Sequence, residues 1–534
     1  MRAITESFDY IIVGAGSAGC VVANRLSANP DVKVLLIEAG GSDRNFWLRL
    51  PVGYFRTIND PRFSRLFNTE PSGAVDRSML WPRGRVLGGS SSINGLIFIR
   101  GQRADFDDWE ALGASGWSFD GVLKHFKSFE TFEGGESYYR GGAGEFNVAK
   151  LRNRNEACDA WVGAGVQFGL PMNEDFNAES TYGVGAYQLA IKDGWRVSSA
   201  AAFLSGIRAR KNLSILLNSS VSRVLFEGRV AVGVEWLAGR DKVSARAERE
   251  VILSAGAIQS PQILQLSGVG PADLLRKLDL PVVHDAPEVG RNLQDHYQAR
   301  TIVRLKKPVS LNDDIRKVTK LAKMGASWLF DKSGPLTVGA GQVGGAACTQ
   351  YSKGARPDVQ FNVMPLSVDK PGDPLHKYSG FTASVWQCRA ASRGRLEIQS
   401  SNPLEQPRIA PNYFAEAIDQ RTIVGGVRML RDIFAQPAFR TLLDEEVLPG
   451  VAAQSDEAIF DFVKENGGTV FHCAGTCRMG SDDTAVVDPS LNVRGVAKLR
   501  VVDASVMPVV TSANTNAPTL MIGEKGAALI AGGS

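Results

Sequence analysis

The chain has 534 residues, too many for one hydrophobic core, so two or more domains are expected. Hydrophobic residues make up 44% and charged residues 22%, an ordinary globular balance that excludes long disorder. The 60 basic and 56 acidic residues leave a net charge of +4, and no basic run or stripe gives reason to invoke nucleic acid.

The opening stretch, MRAITESFDYIIVGAG, reaches a glycine-rich turn before any signal-peptide pattern develops. No run of about 18 apolar residues occurs, so no spanning helix is expected. A cytoplasmic address is expected, with peripheral attachment to a membrane left open. Residues 8–39 read strand, turn, helix, strand. YIIV is a short apolar run ending in glycines, AGCVVANRL has apolar side chains at helical spacing, and KVLLIE is a second buried-strand run.

Gly14, Gly16 and Gly19 form GxGxxG between that strand and that helix. The first glycine permits the tight turn, the second lets backbone approach a pyrophosphate, and the third lets helix pack on strand. The helix N-terminus attracts phosphate charge. Glu38 ends the next strand 19 residues after Gly19, where a carboxylate can accept both ribose hydroxyls of an adenosine. This motif serves NAD and FAD equally.

A second glycine block follows at 84–101, GRVLGGSSSINGLIFIRG, whose small side chains allow close backbone approach. Strand-like runs recur far downstream in REVILSAGA (249–257) and LRVVDASV (499–506), which a parallel sheet assembled from distant pieces explains. Residues 297–465 have another texture. Short alternating runs such as RTIVRL and RGRLEIQ mix with the helical stretch DQRTIVGGVRMLRDIFAQ, so an antiparallel sheet with helices is expected there.

The chain resembles the glucose–methanol–choline (GMC) family of FAD-dependent alcohol oxidoreductases. The family's signatures match GRVLGGSSSIN (84–94) and GAIQSPQILQLSGVG (256–270). VGRNLQDH (289–296) and TNAPTLMIGEK (515–525) follow in the family's order, so the resemblance spans nearly the whole chain. It implies an α/β fold with a Rossmann-type FAD-binding domain, from 1–150, 200–296 and 466–534. An α+β substrate domain with an antiparallel sheet would use 151–199 and 297–465.

The resemblance further implies that FAD lies extended, its adenosine end on Gly14, Gly16, Ser17, Ala18, Gly19, Glu38 and Ala39. The isoalloxazine would lie by Val86, Gly89, Ser90, Asn94, Gly95, Leu96, Ile97, Asp503 and Ala504. Val221 would meet the adenine through its backbone, and Ala255, Asn516, Pro518 and Thr519 complete the set. Some relatives tether flavin through a histidine just before the motif's asparagine. Ile93 stands there and cannot make that bond, so non-covalent FAD is expected.

Oxidising an alcohol removes a proton from oxygen and a hydride from carbon. Flavin takes the hydride, and a histidine near neutral pKa is the usual proton acceptor. The family's YHP-like segment matches FHC at His472, and its second histidine or asparagine matches Asn516 in SANTNAPTL. Asn516 would hydrogen-bond the substrate oxygen. His296 in QDH is read as structural or supporting, and His125, His284 and His376 carry no claim.

Six cysteines in a chain this long make no disulfide framework. Cys20, Cys158, Cys348 and Cys388 are scattered; Cys473 and Cys477, with His472, could offer three ligands, but no second cysteine pair completes a metal site. Packing is the reading taken for both, and no metal is expected.

The function expected is oxidation of an uncharged, primary alcohol to the aldehyde, with a quinone, another carrier or O2 as electron acceptor. A quaternary ammonium substrate calls for aromatic faces or a carboxylate. The corresponding segment is expected near 339–347, where this chain has the neutral Gln342. A choline dehydrogenase-type enzyme and an oxygen-using alcohol oxidase stay as alternatives. Outside that class stand a hydroxynitrile lyase on the same scaffold, an NAD-linked dehydrogenase and a non-enzymatic binding protein. The sequence carries no signal for oligomeric state.

Overall fold

Four apolar runs far apart in the chain meet in one sheet. In the computed structural model, which describes residues 2–239, 241–339, 341–369 and 373–532, strand Arg2–Val13 pairs in parallel with Val34–Ile37 on one side and Asp241–Leu253 on the other. Leu213–Leu216 extends the sheet beyond Val34–Ile37, and Leu499–Val501 also pairs in parallel with Asp241–Leu253. Val230–Ala238 and Ser220–Glu227 continue it antiparallel, making seven strands. Continuous apolar strands fit this sheet because both faces are covered. Ile11, Ile12, Leu36, Ile252 and Val501 are buried in one core with the helices Ser17–Leu26 and Asn516–Ala531.

The parallel strands end at a common edge. Gly14 follows Val13, Glu38 follows Ile37, Ser254 follows Leu253 and Asp503 comes two residues after Val501. In open α/β sheets the carboxyl edge is where ligands bind.

A second sheet of six strands runs Val343–Ala347, Val359–Met364, Gly380–Gln387, Tyr297–Leu305 and Leu443–Leu448, with Gly468–Thr469 paired to the start of Tyr297–Leu305. Every pairing is antiparallel. Alternation gives it two faces. Ala299, Val303, Phe361, Val363, Phe381 and Val385 pack with Ile423, Val427 and Leu430 of helix Ala417–Ala435 in a second core. The opposite face sends Gln298, Arg300, Asn362 and Met364 toward the carboxyl edge of the first sheet. Phe67, Val75, Met79 and Trp81, from the long N-terminal segment, pack in this second core rather than the first.

Among the described residues, no helix is long and apolar enough to cross a membrane.

Candidate active site

The two glycine blocks touch backbone to backbone. A Cβ on Gly89 would lie 2.7 Å from Gly16 Cα, and the Gly88 N–H donates to the Ala15 carbonyl at 2.8 Å. Gly14 turns with φ +100°, and a Cβ there would meet the Ser254 carbonyl oxygen at 2.5 Å. These contacts leave a cleft walled by main chain, which a ligand can approach more closely than side chains would allow.

Two helix N-termini open on that cleft. Ser17 begins one helix and Asn516 the other, and Ser17 Oγ donates to Asn516 Oδ1 at 2.8 Å. Their unpaired N–H groups and converging dipoles suit an anionic group such as a pyrophosphate. Glu38 is buried, accepting the Ala15 N–H at 3.0 Å and the Gly40 N–H at 2.7 Å. Burial pushes its carboxyl up to about 7, against those two bonds and the Arg85 charge, which act to lower it. A carboxylate has four acceptor sites, so capacity for ribose hydroxyls remains. Asp503 accepts from Ser260 Oγ and from the Gly256 and Ser505 N–H groups, tying three segments under the cleft. These residues fit an extended dinucleotide.

Of the residues expected to contact the cofactor, all but Gly19, Val86 and Pro518 line one continuous pocket. Those three lie beneath it. A Cβ on Gly19 would collide with the Gly14 carbonyl oxygen at 1.9 Å, while Val86 and Pro518 are buried. Ile93 lines the pocket and packs with Leu48, Ile58 and Val86.

His472 stands on the wall of the same pocket. Its segment is held from both sides: Val470 N–H donates to the His296 carbonyl, and Ala474 exchanges N–H···O bonds with Gln294. Between them Phe471 adopts φ +67°, a left-handed conformation uncommon for a bulky residue. Arg83 Nη1 donates to the Phe471 carbonyl at 2.8 Å, and the His472 N–H donates to Asp295 Oδ1 at 2.7 Å. Asp295 in turn accepts the Tyr413 hydroxyl. Sequence context at His472 is apolar, yet this backbone arrangement turns the ring toward the cleft.

The ring's protonation follows from its partners. His296 Nε2 lies 2.9 Å from the Cys388 carbonyl oxygen, which can only accept, so Nε2 carries the proton. In neutral His296, Nδ1 is then an acceptor, and it lies 2.9 Å from His472 Nδ1. His472 Nδ1 is therefore the donor, and Nε2 keeps its lone pair. Burial lowers the pKa of His472 well below the usual histidine value, with repulsion from His296 and Arg83 adding to the effect. Burial also brings His296 down to about 4, opposed by its bond to the Cys388 carbonyl. Both rings are neutral near pH 7.

The residue facing His472 Nε2 is Asn514, whose Nδ2 donates to it at 3.1 Å. Asn516, the residue expected in that role, opens the final helix, lines the same pocket and accepts from Ser17 through its side-chain oxygen. Asn514 Oδ1 is buried with no protein partner, a polar atom left for a ligand.

A correction concerns Gln342. It is 2% exposed and does not line the pocket. Its backbone joins Tyr187 and Val363 instead. The polar side chains on the sheet face above His472 are Gln298, Arg300 and Asn362, accompanied by Phe55, Ile58, Met364, Leu366 and Val368. Gln298 had a readable signal, since it lies two residues from His296, a spacing that puts both on one face of an extended chain. Glu38 and Asp503 are the carboxylates among the described lining residues. Cys473 and Cys477 are buried, and burial pushes the Cys473 thiol up to about 11.

The family model described as GMC oxidoreductase matches this chain in its N-terminal part over residues 8–298 and in its C-terminal part over 390–523. The chain is 39% identical over 529 residues to a protein named alcohol dehydrogenase [acceptor] from Pseudomonas putida, covering 98% of this chain and 95% of the relative. It is 40% identical to the mitochondrial choline dehydrogenase of Mus musculus, covering 99% and 90%. An oxygen-dependent choline dehydrogenase from Serratia proteamaculans is 42% identical, covering 97% and 94%. Among solved structures, pyridoxine 4-oxidase from Mesorbium loti superposes with a TM-score of 0.89 at 29% identity, covering 98% and 99%. A formate oxidase from Aspergillus oryzae gives a TM-score of 0.92 at 27% identity, covering 99% and 98%.

Proposed function

The chain belongs to the GMC oxidoreductase family and is an oxidoreductase acting on CH–OH donors; on that premise we propose that it oxidises an uncharged primary alcohol to the aldehyde, with His472 as base. The observation that carries the reading is the run of hydrogen bonds from the Cys388 carbonyl through His296 to His472, which leaves Nε2 as an acceptor on the wall of the dinucleotide cleft.

FAD, the family's cofactor, supplies the hydride acceptor when bound. The protein's part is proton transfer and positioning. The substrate hydroxyl gives its proton to His472 Nε2, and the charge gathering on the ring is shared through Nδ1–H with His296. The substrate hydroxyl takes the place at Nε2 that the Asn514 Nδ2–H holds in the structure, and that displaced donor is then beside the oxygen as it becomes alkoxide-like. Ile93, an apolar side chain at the tethering position, supports non-covalent retention of FAD.

The substrate's charge class follows from the roof. An ammonium would meet Arg300 and Arg83, and among the described lining residues no carboxylate stands at that end, whereas an amide pair and apolar side chains suit a neutral alcohol. The relative named alcohol dehydrogenase [acceptor] supports a dehydrogenase that passes electrons to a quinone or similar carrier. The relatives named choline dehydrogenase make choline the second substrate to test.

The test is anaerobic mixing of the yellow protein with a panel of aliphatic and aromatic alcohols and choline. Bleaching by neutral alcohols, followed by reoxidation with a quinone analogue faster than with O2, is expected. Bleaching by choline alone would overturn the substrate class, and no bleaching by any alcohol would overturn the reaction.

A further inference from the structure

Helix Val318–Asp331 is an amphipathic element whose apolar stripe faces solvent. Met324 is its one buried residue. Val318 is 81% exposed, Leu329 55% and Phe330 78%, with Leu321 and the preceding Ile315 also exposed. Val318, Leu321, Ala322, Gly325 and Leu329 fall at i, i+3, i+4, i+7 and i+11, so they form one continuous stripe. Folding does not bury it.

Charge accompanies the stripe. From Arg316 to Lys332 there are five basic residues, Arg316, Lys317, Lys320, Lys323 and Lys332, against the single acid Asp331. Asp314, just upstream, lies 3.6 Å from Lys320. The helix is fixed to the body at its far end, where Trp328 Nε1 donates to the Gly194 carbonyl at 3.0 Å and its ring packs edge-on against Trp195. The next turn, Pro335–Thr337, touches Pro51–Gly53, which runs directly into Phe55 on the pocket lining.

We propose that this helix docks the protein on an anionic lipid bilayer. A short helix with an apolar stripe and a lysine-rich opposite face is the form that lies in a headgroup interface. Anionic headgroups complement the basic residues, each contributing near the surface. A second copy of the chain is the poorer occupant, because it would meet this basic helix with the same basic helix and supply no complementary charge. Docking sets the mouth of the pocket near the surface in which a lipid-soluble quinone dissolves. That consequence rests on the acceptor proposed above, while the docking itself does not.

The test is flotation of the full holoprotein with vesicles of phosphatidylglycerol and phosphatidylcholine in equal parts, and with phosphatidylcholine alone. The wild type should float with the anionic vesicles and be released by added salt. A Val318→Ser, Leu329→Ser, Phe330→Ser variant and a Lys317→Glu, Lys320→Glu, Lys323→Glu variant should each bind at least tenfold more weakly. Both should reduce a soluble dye with substrate at the wild-type rate, which shows that they are folded. Wild-type protein that stays out of the vesicle fraction overturns the proposal, as do variants that float like the wild type. A wild-type dimer dissociated by the serine substitutions, without lipid binding, would assign the patch to a second copy instead.

Discussion

The Nδ1 atoms of His296 and His472 stand 2.9 Å apart, and the other nitrogen of His296 points at the Cys388 carbonyl. One carbonyl thus sets the tautomers of two buried rings in succession. His472→Ala should keep its flavin and be reduced by substrate about 10²–10⁴-fold more slowly. His296→Ala should leave His472 without its orienting partner and slow reduction about tenfold or more. The pH profile separates this from a packing defect. His472 works unprotonated, and the neutral His296 ring accepts its Nδ1–H, which stabilises the charge that His472 gains. Removing His296 takes that acceptor away, so His472 becomes a weaker base and the acid limb of the rate profile moves to lower pH. An unchanged rate and limb in stopped-flow reduction would deny His296 any role in positioning.

Asn514 and Asn516 should respond differently. Asn514→Ala removes the donor next to Nε2 and should slow flavin reduction by about tenfold or more, the worth of one hydrogen bond to developing charge. Asn516→Ala removes the acceptor for Ser17 and should leave reduction within about threefold of wild type. The reverse ranking would return the catalytic assignment to Asn516.

Glu38→Gln tests the cleft through stability and binding together. The carboxyl is raised from 4.5 in the unfolded chain to about 7 in the folded one. A group raised in this way binds protons more tightly when folded, so the apoprotein loses stability as pH climbs from 4.5 toward 7. The loss is about 3 kcal/mol on this group's account. Glu38→Gln apoprotein should lack that decline, seen as a smaller fall in Tm between acidic and neutral pH. Its Kd for FAD should rise, since a charged acceptor of ribose hydroxyls is gone. Equal Tm profiles and equal affinity would remove Glu38 from the site.

Gln298→Glu should raise turnover of choline relative to benzyl alcohol, because a carboxylate on the roof would offset Arg300. Gln342→Glu should do no such thing. At 2% exposure it would bury a charge away from the pocket and lower Tm. Competition assays with both alcohols check the ratio for each variant.

Acid precipitation should leave the yellow colour in the supernatant, since Ile93 offers no nucleophile to the cofactor. Colour in the pellet would mean a covalent link made by another residue.

Much of this architecture is legible in the sequence because the runs that reach the carboxyl edge are short and apolar, with YIIV and VLLI followed at once by a glycine and an acid. YIIV, VLLI and the runs ending at Leu253 and Val501 could bury both faces only in a covered parallel sheet. That Asn514 would be the residue facing His472 was not legible. Asn514 and Asn516 flank one threonine, and their roles diverge only because a helix begins at the second of them. Nor could spacing reveal that Phe471 would take a left-handed conformation, with its carbonyl accepting from the distant Arg83 and its N–H donating to Thr469 Oγ1. Helix Val318–Asp331 reads as an ordinary amphipathic helix. Its period reveals an apolar stripe but not whether anything covers it.

The position of strand Leu499–Val501 bears on how the protein is made. It is the last strand of the chain, yet it pairs with Asp241–Leu253 in the central sheet, and the residues after it supply Asp503, Asn514 and the second helix N-terminus. Nascent chains emerge from the ribosome N-terminus first. The glycine turn at 14–19 is thus available early, while the opposing wall of the cleft, from Leu499 on, is translated about 480 residues later. Cofactor capture must therefore wait for residues 499–516, and a ribosome stalled before Leu499 would carry a nascent chain unable to retain flavin.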